Sequence, residues 1–483
     1  MGLAFIPLYI RYLGVEAWGL VGFMATMQMW LSVLDMGMSS ALSREMARFT
    51  AGEVTASTIR NLLRSLEVVL GVSALLAGLL TIGMASWVAD RWLKYEQLST
   101  HTVIVAISIM GWVFASRMIE QLYRSALQGL QRQVWLNIVQ TILATARGAG
   151  AIGVLVFVSS TVEAFFVWHG IVSLVTVMAL GWGSYHFLPT CNFKPSFIFA
   201  ELQRIKRYAG GMLATSMLVL FLTQIDKLLL STLLPLRLYG YYMLAASVAG
   251  ALRFLISPFV GAALPHFTEL VARNDKLALI NNYHRASQFM AFIVVPPAVV
   301  MAVFARPLLL IWSRDIELAN QGAPLVTLLA LGTMFNAFMN IPYVLQLAYG
   351  WSWLAARINL VAVAILVPSI FYFVPRYGAL AAGWVWLVLN FCYVVFGVHF
   401  MYRRLLPDEK WKWYKNGVAI PLLSATFPVL IVFWLWPPDK GFAWTGVGVL
   451  SAIFLSYTST FLFVPSIKEA VNHKFPVLKR FLI

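Results

Sequence analysis

The chain has 483 residues, of which 61% are hydrophobic and only 11% are charged, and its mean hydropathy is +0.80. Soluble domains carry about 25% charged residues, so this composition excludes a soluble enzyme and indicates an all-α protein that crosses the membrane many times. The net charge of +16 does not indicate nucleic-acid binding, because the basic residues lie mainly between apolar segments.

Apolar segments bounded by charged residues predict about fourteen transmembrane helices, with twelve as the fallback count. The first segment, residues 2–10, is about half as long as a bilayer-spanning helix. We expect either a true start upstream of Met1, which we favour, or a shortened first helix. The predicted spans are residues 2–10, 17–40, 66–89, 102–125, 133–158, 162–186, 208–233, 238–262, 286–305, 323–348, 358–375, 378–402, 417–436 and 442–465.

Lysine and arginine alternate in abundance from one loop to the next. With a cytoplasmic N-terminus, 24 of the 35 lie on the cytoplasmic side and 8 on the other, and Arg147, Lys227 and Arg253 lie inside spans. This bias predicts cytoplasmic N- and C-termini. The connections, about 25 residues at most, are too short for a soluble catalytic domain, which needs about 50 residues.

Residues 17–42 form a continuous apolar run that predicts one long helix. Gln28, Ser32, Asp35 and Ser39 recur at helical spacing and share one face of it. An acid inside hydrocarbon is costly unless it meets water or a partner. We therefore expect this face to form one wall of a cavity.

The beginning of this segment is similar to a segment 221 residues later, where Trp18 and Gly19 correspond to Tyr239 and Gly240. Six predicted spans separate the two copies, so both point the same way across the membrane. The sequence favours a parallel repeat with a binding cavity between two lobes. Chance recurrence of aromatic–glycine pairs is the alternative.

Two arginines within spans are candidates for binding an anion. Arg147 lies among small residues that let helices approach closely, and Arg253 occupies a comparable position in the second half of the chain. A guanidinium group suits phosphate because it offers a planar fork of donors. The alternative is an ion pair with Asp35, Glu120 or Asp226.

Asp226 and Lys227 are adjacent in the seventh span. Neighbouring residues on a helix point about 100° apart, so we expect each side chain to have a different partner. Lys227 is a candidate cavity cation and Asp226 a candidate proton or ion site. The alternatives are a structural acid and a lysine whose amine reaches the membrane surface.

Two polar stripes have competing interpretations. Arg117, Glu120 and Arg124 share a helix face, for which a salt-bridged helix end is favoured over a substrate gate, and Glu120 remains a coupling candidate. Asn336 and Asn340 belong to a neutral stripe that suits sugar hydroxyls or interhelical hydrogen bonds equally well.

His169 stands alone among apolar neighbours and is interpreted as a satisfied core histidine. The sequence has no nucleotide-binding GxxxxGK[ST], no HExxH and no GxSxG nucleophile. We therefore expect no metal or cofactor, no ATP hydrolysis and no enzymatic activity.

Three stretches resemble one family of transporters: IPLYIRYLGVEAWGL, LDMGMSSALSREMARF and TQIDKLLLSTLLPLRLYGYYMLAASV. They are similar to the polysaccharide and O-antigen flippases of the multidrug/oligosaccharidyl-lipid/polysaccharide exporter superfamily. The resemblance implies two parallel-related six-helix lobes in a V shape, as in the multidrug exporters of that superfamily, plus two C-terminal helices. The lobes would be residues 1–190 and 207–404, joined by a cytoplasmic linker at 191–206, with 405–483 forming the last two helices and a basic tail.

The resemblance also implies a function in lipopolysaccharide and surface polysaccharide synthesis. The substrate would be an oligosaccharide linked to undecaprenyl pyrophosphate, moved across the bacterial inner membrane by alternating access, with a proton or sodium gradient as the driving force. Membrane lipids and polysaccharide assembly proteins are the other expected partners. The candidate substrate contacts are Arg147, Arg253, Lys227, Asn336 and Asn340, and the coupling candidates are Asp35, Asp226 and Glu120.

Two other functions are open at this point. A drug-cation exporter of the same superfamily should have an acidic cavity, whereas the candidate residues here are cationic. A membrane-embedded O-antigen polymerase should carry a large external loop, and no external connection is long enough to favour one.

Overall fold

A computed structural model describes residues 2–190, 195–435 and 441–466. These residues are almost entirely helical, and the sole β-type pairing among them is an isolated bridge between Lys94 and Pro235. The start of the predicted linker, residues 191–194, and the basic tail after Ser466 lie outside the described residues. The predicted all-α membrane fold is confirmed.

The chain divides into two compact units, residues 1–240 and 241–483. The predicted lobe boundaries remain a prediction. The first unit contains α1 (Gly2–Leu13), α2 (Val15–Leu31), α3 (Met38–Thr50), α4 (Ala56–Gly83), α5 (Ala85–Trp87), α6 (Thr100–Gly129), α7 (Gln133–Phe157), α8 (Val162–His186), α9 (Phe199–Leu233) and the start of α10 (Leu236–Gly250).

The second unit contains the remainder of α10 and the helices that follow it. These are α11 (Leu252–Ala272), α12 (Lys276–Val303), α13 (Ala305–Ser313), α14 (Ile316–Ala348), α15 (Ser352–Tyr377), α16 (Ala379–Cys392), α17 (Val398–Arg404), α18 (Lys410–Trp413), α19 (Ile420–Leu435) and α20 (Phe442–Phe463). Wider π-type turns at Tyr393–Gly397 and Tyr414–Ala419 connect α16 to α17 and α18 to α19. Such turns widen a helix locally without ending it.

Twelve helical segments within the described ranges are long and apolar enough to cross a membrane. Two more helices, α1 and α9, occupy the other predicted spans. The first has only 12 residues, and α9 carries charged residues in its first turns and again at Asp226 and Lys227. The count is therefore close to the predicted fourteen.

The outer face of α4 shows what surrounds the protein. Five large apolar residues on one face of this helix are exposed: Val72, Leu75, Leu76, Leu79 and Leu80. A continuous apolar surface of this kind is unfavourable in water and matches lipid hydrocarbon.

Small residues and polar pairs hold the helices of each unit together. In the first unit a Cβ added to Gly111 of α6 would lie 2.8 Å from the carbonyl oxygen of Gly78 in α4, so these two helices pack at backbone distance. In the second unit the buried Tyr283 and Tyr402 hydroxyls are 2.7 Å apart and join α12 to α17.

The predicted continuous helix over residues 17–42 is wrong. A 3₁₀ turn at Ser32–Asp35 ends α2, and Met36 and Gly37 have left-handed backbones with φ of 50° and 72°. At Gly37 a Cβ would collide with the carbonyl oxygen of Ala209 and lie 2.9 Å from the Cβ of Met212 in α9. The break allows α9 to approach the chain here, which an uninterrupted helix with side chains would prevent.

The two segments predicted as repeats meet in a reciprocal contact. A Cβ at Gly19 would overlap the carbonyl oxygen of Leu236, and a Cβ at Gly240 would overlap that of Val15. Under the shift of 221 residues Val15 corresponds to Leu236 and Gly19 to Gly240. The two contacts are therefore reciprocal under this shift, and the repeat itself remains a prediction.

Outside the spans, Glu45 of α3 binds two arginines. It accepts hydrogen bonds from Arg48, at 3.1 Å, and from Arg204 of α9. Burial raises the pKa of Glu45, but the hydrogen bonds and charges of Arg204 and Arg48 outweigh that effect and lower it. The carboxylate therefore stays charged and fastens α9 to α3.

The glycine contact predicts a position-specific effect on stability. Gly19→Ala should lower the free energy of unfolding by about 1–3 kcal/mol, because the added methyl group has no space against Leu236. Gly71→Ala in α4 is the matched control, since a Cβ there meets nothing within 4 Å, and alanine should leave stability unchanged or raise it by up to ~1 kcal/mol. Denaturant titration of the purified protein measures both. Equal stability of the two variants would contradict the close contact.

Candidate functional site

A cavity of about 340 Å³ in the first unit brings together two of the predicted polar faces. One wall comes from the C-terminal part of α2 and the 3₁₀ turn that follows it, and the other wall comes from α6. We call it the cationic cavity, lined by Ala25, Gln28, Met29, Leu31, Ser32, Asp35, Phe114, Arg117, Met118, Glu120, Gln121 and Arg124. Gln28, Ser32 and Asp35 thus line a cavity within the first unit, and the expectation that this face borders a cavity between two lobes remains a prediction.

The fourth member of that face, Ser39, does not line the cavity. It is buried in α3, where its hydroxyl donates to Asp35 at 2.5 Å and its backbone N–H donates to the same carboxylate at 3.2 Å. Asp35 thus caps the first turn of α3 while it also borders the cavity. Its role as a coupling residue remains a prediction.

Arg117, Glu120 and Arg147 form a charged cluster across two helices of the first unit. Arg117 donates to Glu120 at 2.9 Å, and the Arg147 guanidinium of α7 lies 3.9 Å from the same carboxylate. Arg147 also donates to Thr176 of α8 at 3.4 Å. The ion pair expected as one alternative for Arg147 is formed with Glu120, but at the long end of the range for such contacts.

The third arginine of this region, Arg124, is exposed and lines the cavity without an ion pair among the described residues. The salt-bridged helix end therefore forms between Arg117 and Glu120 and does not include Arg124. The cavity lining itself balances two arginines, Arg117 and Arg124, against two acids, Asp35 and Glu120. Arg147 lies outside the lining against Glu120 and, with all side chains ionised, adds one further positive charge to the region. The cluster keeps an excess of positive charge.

Several buried donors and acceptors around this cluster lack partners. Arg117 Nε, Arg147 Nε, His169 Nε2 and Ser173 Oγ are all buried and make no hydrogen bond among the described residues. The ring of His169 packs against Phe165 with centroids 4.4 Å apart. His169 is a core residue, as expected. The prediction that its ring is fully hydrogen-bonded is wrong, because Nε2 has no partner among the described residues. The groups around it come from α6 and α7, which local sequence does not reveal.

Asp226 and Lys227 contact each other, so the expectation that they do not face one another is wrong. The Lys227 amine lies 3.6 Å from the Asp226 carboxylate and also donates to the carbonyl oxygen of Thr223 at 2.9 Å. The long lysine side chain bends back along α9, although the two Cβ atoms point apart. Asp226 makes a further interaction as well, so the expectation that each side chain has a partner besides its neighbour is not contradicted.

Arg253 lies in the first turn of α11 in the second unit. It is exposed and makes neither an ion pair nor a hydrogen bond among the described residues. This guanidinium is therefore available to an anion, whereas that of Arg147 is partly committed to Glu120.

A second cavity, of about 210 Å³, lies within the second unit between α14, α15 and the turn after α16. No charged side chain lines it. We call it the amide cavity, lined by Asn336, Met339, Asn340, Tyr343, Gln346, Ala355, Ile358, Asn359 and Tyr393. Both predicted asparagines thus border one space.

The two asparagines also make the interhelical and local bonds of the alternative interpretation. Asn336 Nδ2 donates to Asn390 Oδ1 at 2.8 Å, and Asn340 Nδ2 donates to the carbonyl oxygen of Asn336 at 3.0 Å. Both bonds use N–H groups, so the side-chain oxygens remain for the cavity. The two asparagines therefore border a cavity and also make hydrogen bonds to protein atoms.

Two buried acids were missed by the sequence analysis. Glu16 in the first turn of α2 accepts backbone N–H bonds from Glu96, Gln97 and Leu98 at 2.5 to 3.2 Å. The carboxylate of Glu67 in α4 accepts bonds from the hydroxyls of Tyr123 and Tyr185 and from Arg64. Both acids lie near predicted helix ends, where charged residues are ordinarily solvated, so the sequence carried no signal for either.

The described residues contain no group of three or more His, Cys, Asp or Glu side chains arranged to hold a metal ion. The cationic cavity presents guanidinium groups and carboxylates, and the amide cavity presents amide groups and phenols.

Comparison with known families identifies the chain. The family model described as "Polysaccharide biosynthesis protein" matches residues 1–271, which is more than half of the sequence. The chain belongs to this family. The resemblance predicted from the sequence motifs is confirmed.

Individual relatives agree with the family. A provisionally assigned O-antigen transporter of Shigella flexneri is 19% identical over 379 residues, which cover 78% of this chain and 88% of the relative. Among solved structures, the lipid II flippase MurJ in an inward closed conformation has a TM-score of 0.74 at 12% identity, covering 96% of this chain and 97% of its own.

An inward-facing multidrug resistance transporter of the MATE family, itself described as a member of the MOP superfamily, has a TM-score of 0.65 at 12% identity. It covers 83% of this chain and 93% of its own. At such identities these similarities establish the fold and leave the cargo open.

The charge balance of the cluster predicts unequal effects of its members on stability. Glu120→Gln should lower the free energy of unfolding by about 1–3 kcal/mol, because it leaves Arg117 and Arg147 without their shared acid. Arg147→Gln should cost less, since Arg117 still neutralises Glu120. Denaturant titration tests this order, with Arg273→Gln on an exposed ion pair as the control. A larger loss for Arg147→Gln than for Glu120→Gln would contradict the excess of positive charge.

Proposed function

We propose that this protein is a flippase that carries a lipid-linked oligosaccharide across the bacterial inner membrane for surface polysaccharide synthesis. The family and the O-antigen transporter relative support polysaccharide export, and the fold shared with a lipid II flippase supports movement of a lipid-linked cargo. These relatives are transporters, so we propose transport and assign no catalytic residue.

The observation that carries the proposal is the surplus of arginine in the first unit. Arg117 and Arg124 line the cationic cavity, Arg147 lies behind Glu120, and buried guanidinium nitrogens of Arg117 and Arg147 lack acceptors. An anionic group with several oxygens would supply those acceptors, and guanidinium groups bind phosphate in this way. The second candidate, a drug-cation exporter, would need the opposite charge balance.

A pyrophosphate group cannot cross about 30 Å of hydrocarbon unaided, because an unpaired buried ion costs many kcal/mol. A cationic cavity lowers that cost while the polyprenyl tail of the lipid remains in the bilayer. We propose undecaprenyl pyrophosphate as the carrier, alternating access as the mechanism, and cytoplasmic N- and C-termini. Polysaccharide assembly proteins are the proposed partners.

We further propose that an ion gradient drives transport through an acid that borders the cavity. Asp35 is the leading candidate because its carboxylate lies at the cavity wall and at the break between α2 and α3. Glu120 and Asp226 remain secondary candidates, since both are already engaged with basic side chains. A proton biases two conformations only when the acid has different pKa values in them.

Export of polysaccharide should depend on Arg253 and on the arginines of the first unit. Arg253→Gln, and the double variant Arg117→Gln/Arg147→Gln, should each reduce surface polysaccharide at least about tenfold, because each removes charged hydrogen bonds to the proposed anion. The measurement is the surface polymer of a deletion strain complemented with each variant, normalised to the protein level in the membrane.

Arg273→Gln is the matched control, because Arg273 follows the opposite end of α11 and pairs with Glu269 on the surface. It should export normally. Arg253 makes no bond that its loss would break, so a defect in Arg253→Gln cannot be attributed to unfolding. Normal polymer in both cationic-site variants would refute the proposed anion contacts.

The coupling role of Asp35 predicts a change in pH response. Asp35→Asn retains an acceptor oxygen for the backbone N–H of Ser39, so α3 should keep its cap while the titrating charge is lost. Flux into vesicles should then no longer respond to an imposed pH gradient, whereas wild-type flux should. An unchanged response to the gradient would eliminate Asp35 as the coupling residue.

A further inference from the structure

We infer that the amide cavity of the second unit is a binding subsite for one uncharged sugar ring of the transported oligosaccharide. This inference rests on the proposed function, but it concerns residues in a different part of the chain from the arginines. Its ligand class follows from the groups that line the cavity, from their unsatisfied atoms and from the cavity's volume.

The first observation is a buried acceptor with no donor. Gln346 is 2% exposed, and its side-chain oxygen makes no hydrogen bond among the described residues. A buried unsatisfied carbonyl costs about 1–3 kcal/mol, so a donor from a ligand or from water would stabilise it. Because Gln346 lines the amide cavity, that donor would come from the cavity.

The neighbouring amides offer both acceptors and donors. Asn336 and Asn340 each use Nδ2 in a bond to a protein atom, which leaves their Oδ1 atoms as acceptors. Asn359 Oδ1 accepts from the hydroxyl of Tyr393 at 3.1 Å, which leaves its amide N–H groups as donors. Sugar hydroxyls both donate and accept, so they match such a surface.

Charge and shape narrow the ligand further. The lining has no ionised side chain, so neither a phosphate nor a uronic acid would find a counter-charge. Tyr343, which is 40% exposed, and Tyr393 add aromatic rings against which the C–H face of a pyranose can pack. An uncharged hydroxylated ring satisfies both conditions.

The volume sets the size of the ligand. A volume of about 210 Å³ is many times the space that one water molecule needs. This space suits one ring with its substituents, and the remaining sugars of an oligosaccharide would lie outside it. It is also far larger than a bare monovalent cation, the other ligand that neutral oxygens attract.

The test uses purified full-length protein in lipid nanodiscs, with methyl glucopyranoside, methyl N-acetylglucosaminide and glucuronate as probes at constant sodium. At least one of the two uncharged pyranosides should raise the Tm of the wild type in a saturable manner, and glucuronate should not. Gln346→Leu should need about tenfold more sugar for the same shift, which corresponds to one lost hydrogen bond in a buried site.

The chain offers a matched control in Gln321→Leu, the same substitution at an exposed position on α14 outside the cavity. It should bind sugar like the wild type. Gln346→Leu should fold, because the oxygen that it removes has no partner in the structure. Tyr343→Ala provides a second variant, with affinity about two- to tenfold weaker from the lost ring contact.

The inference would be overturned if no uncharged pyranoside shifted the Tm, or if Gln346→Leu bound sugar as tightly as Gln321→Leu. In a separate sodium titration without sugar, stabilisation that depends on Gln346, together with no stabilisation by sugar, would assign the cavity to a cation instead. Because the readout is binding and not export, its failure is distinguishable from failure of the arginine variants in the polysaccharide assay.

Discussion

The cost of placing charge in hydrocarbon governs this structure. Three acids in or near the apolar segments have close polar partners: three backbone N–H groups bind Glu16, two phenols and an arginine bind Glu67, and Lys227 lies against Asp226. The arginines of the first unit are not matched one to one with acids, because Arg117 and Arg147 share the carboxylate of Glu120. An uncompensated cation within a membrane protein marks a place where a negative group is expected to bind.

Interruptions in the helices place some of the polar groups. The turn at Ser32–Asp35 and the left-handed Met36 and Gly37 put Asp35 at the cavity wall and Ser39 behind it. A short break at Ala251 likewise precedes the exposed Arg253. At these two places a polar group lies where the backbone leaves helical geometry, whereas Arg117, Glu120 and Arg147 lie within the continuous helices α6 and α7.

Local sequence was sufficient to predict the approximate number of spans, the family and the sharing of a cavity by Gln28, Ser32 and Asp35, because these depend on composition and helical spacing. It did not predict the breaks within the predicted spans 17–40 and 238–262. It was insufficient at Gly37, whose conformation suits the approach of Ala209 from a distant helix. The unpartnered atoms of His169 and Gln346 were equally inaccessible, since whether a polar atom is satisfied depends on neighbours far away in the chain. The bent side chain of Lys227 was missed because spacing rules describe Cβ directions and not flexible stems.

The attachment of Glu16 to residues 96–98 also has a mechanical meaning. One carboxylate in the first turn of α2 binds three successive N–H groups of the segment that precedes α6. These hydrogen bonds hold the N-terminal ends of α2 and α6 together. Further along both helices, the cationic cavity separates them. Because the two helices are joined at Glu16, any widening of the gap between them would be small near Glu16 and would increase towards the cationic cavity.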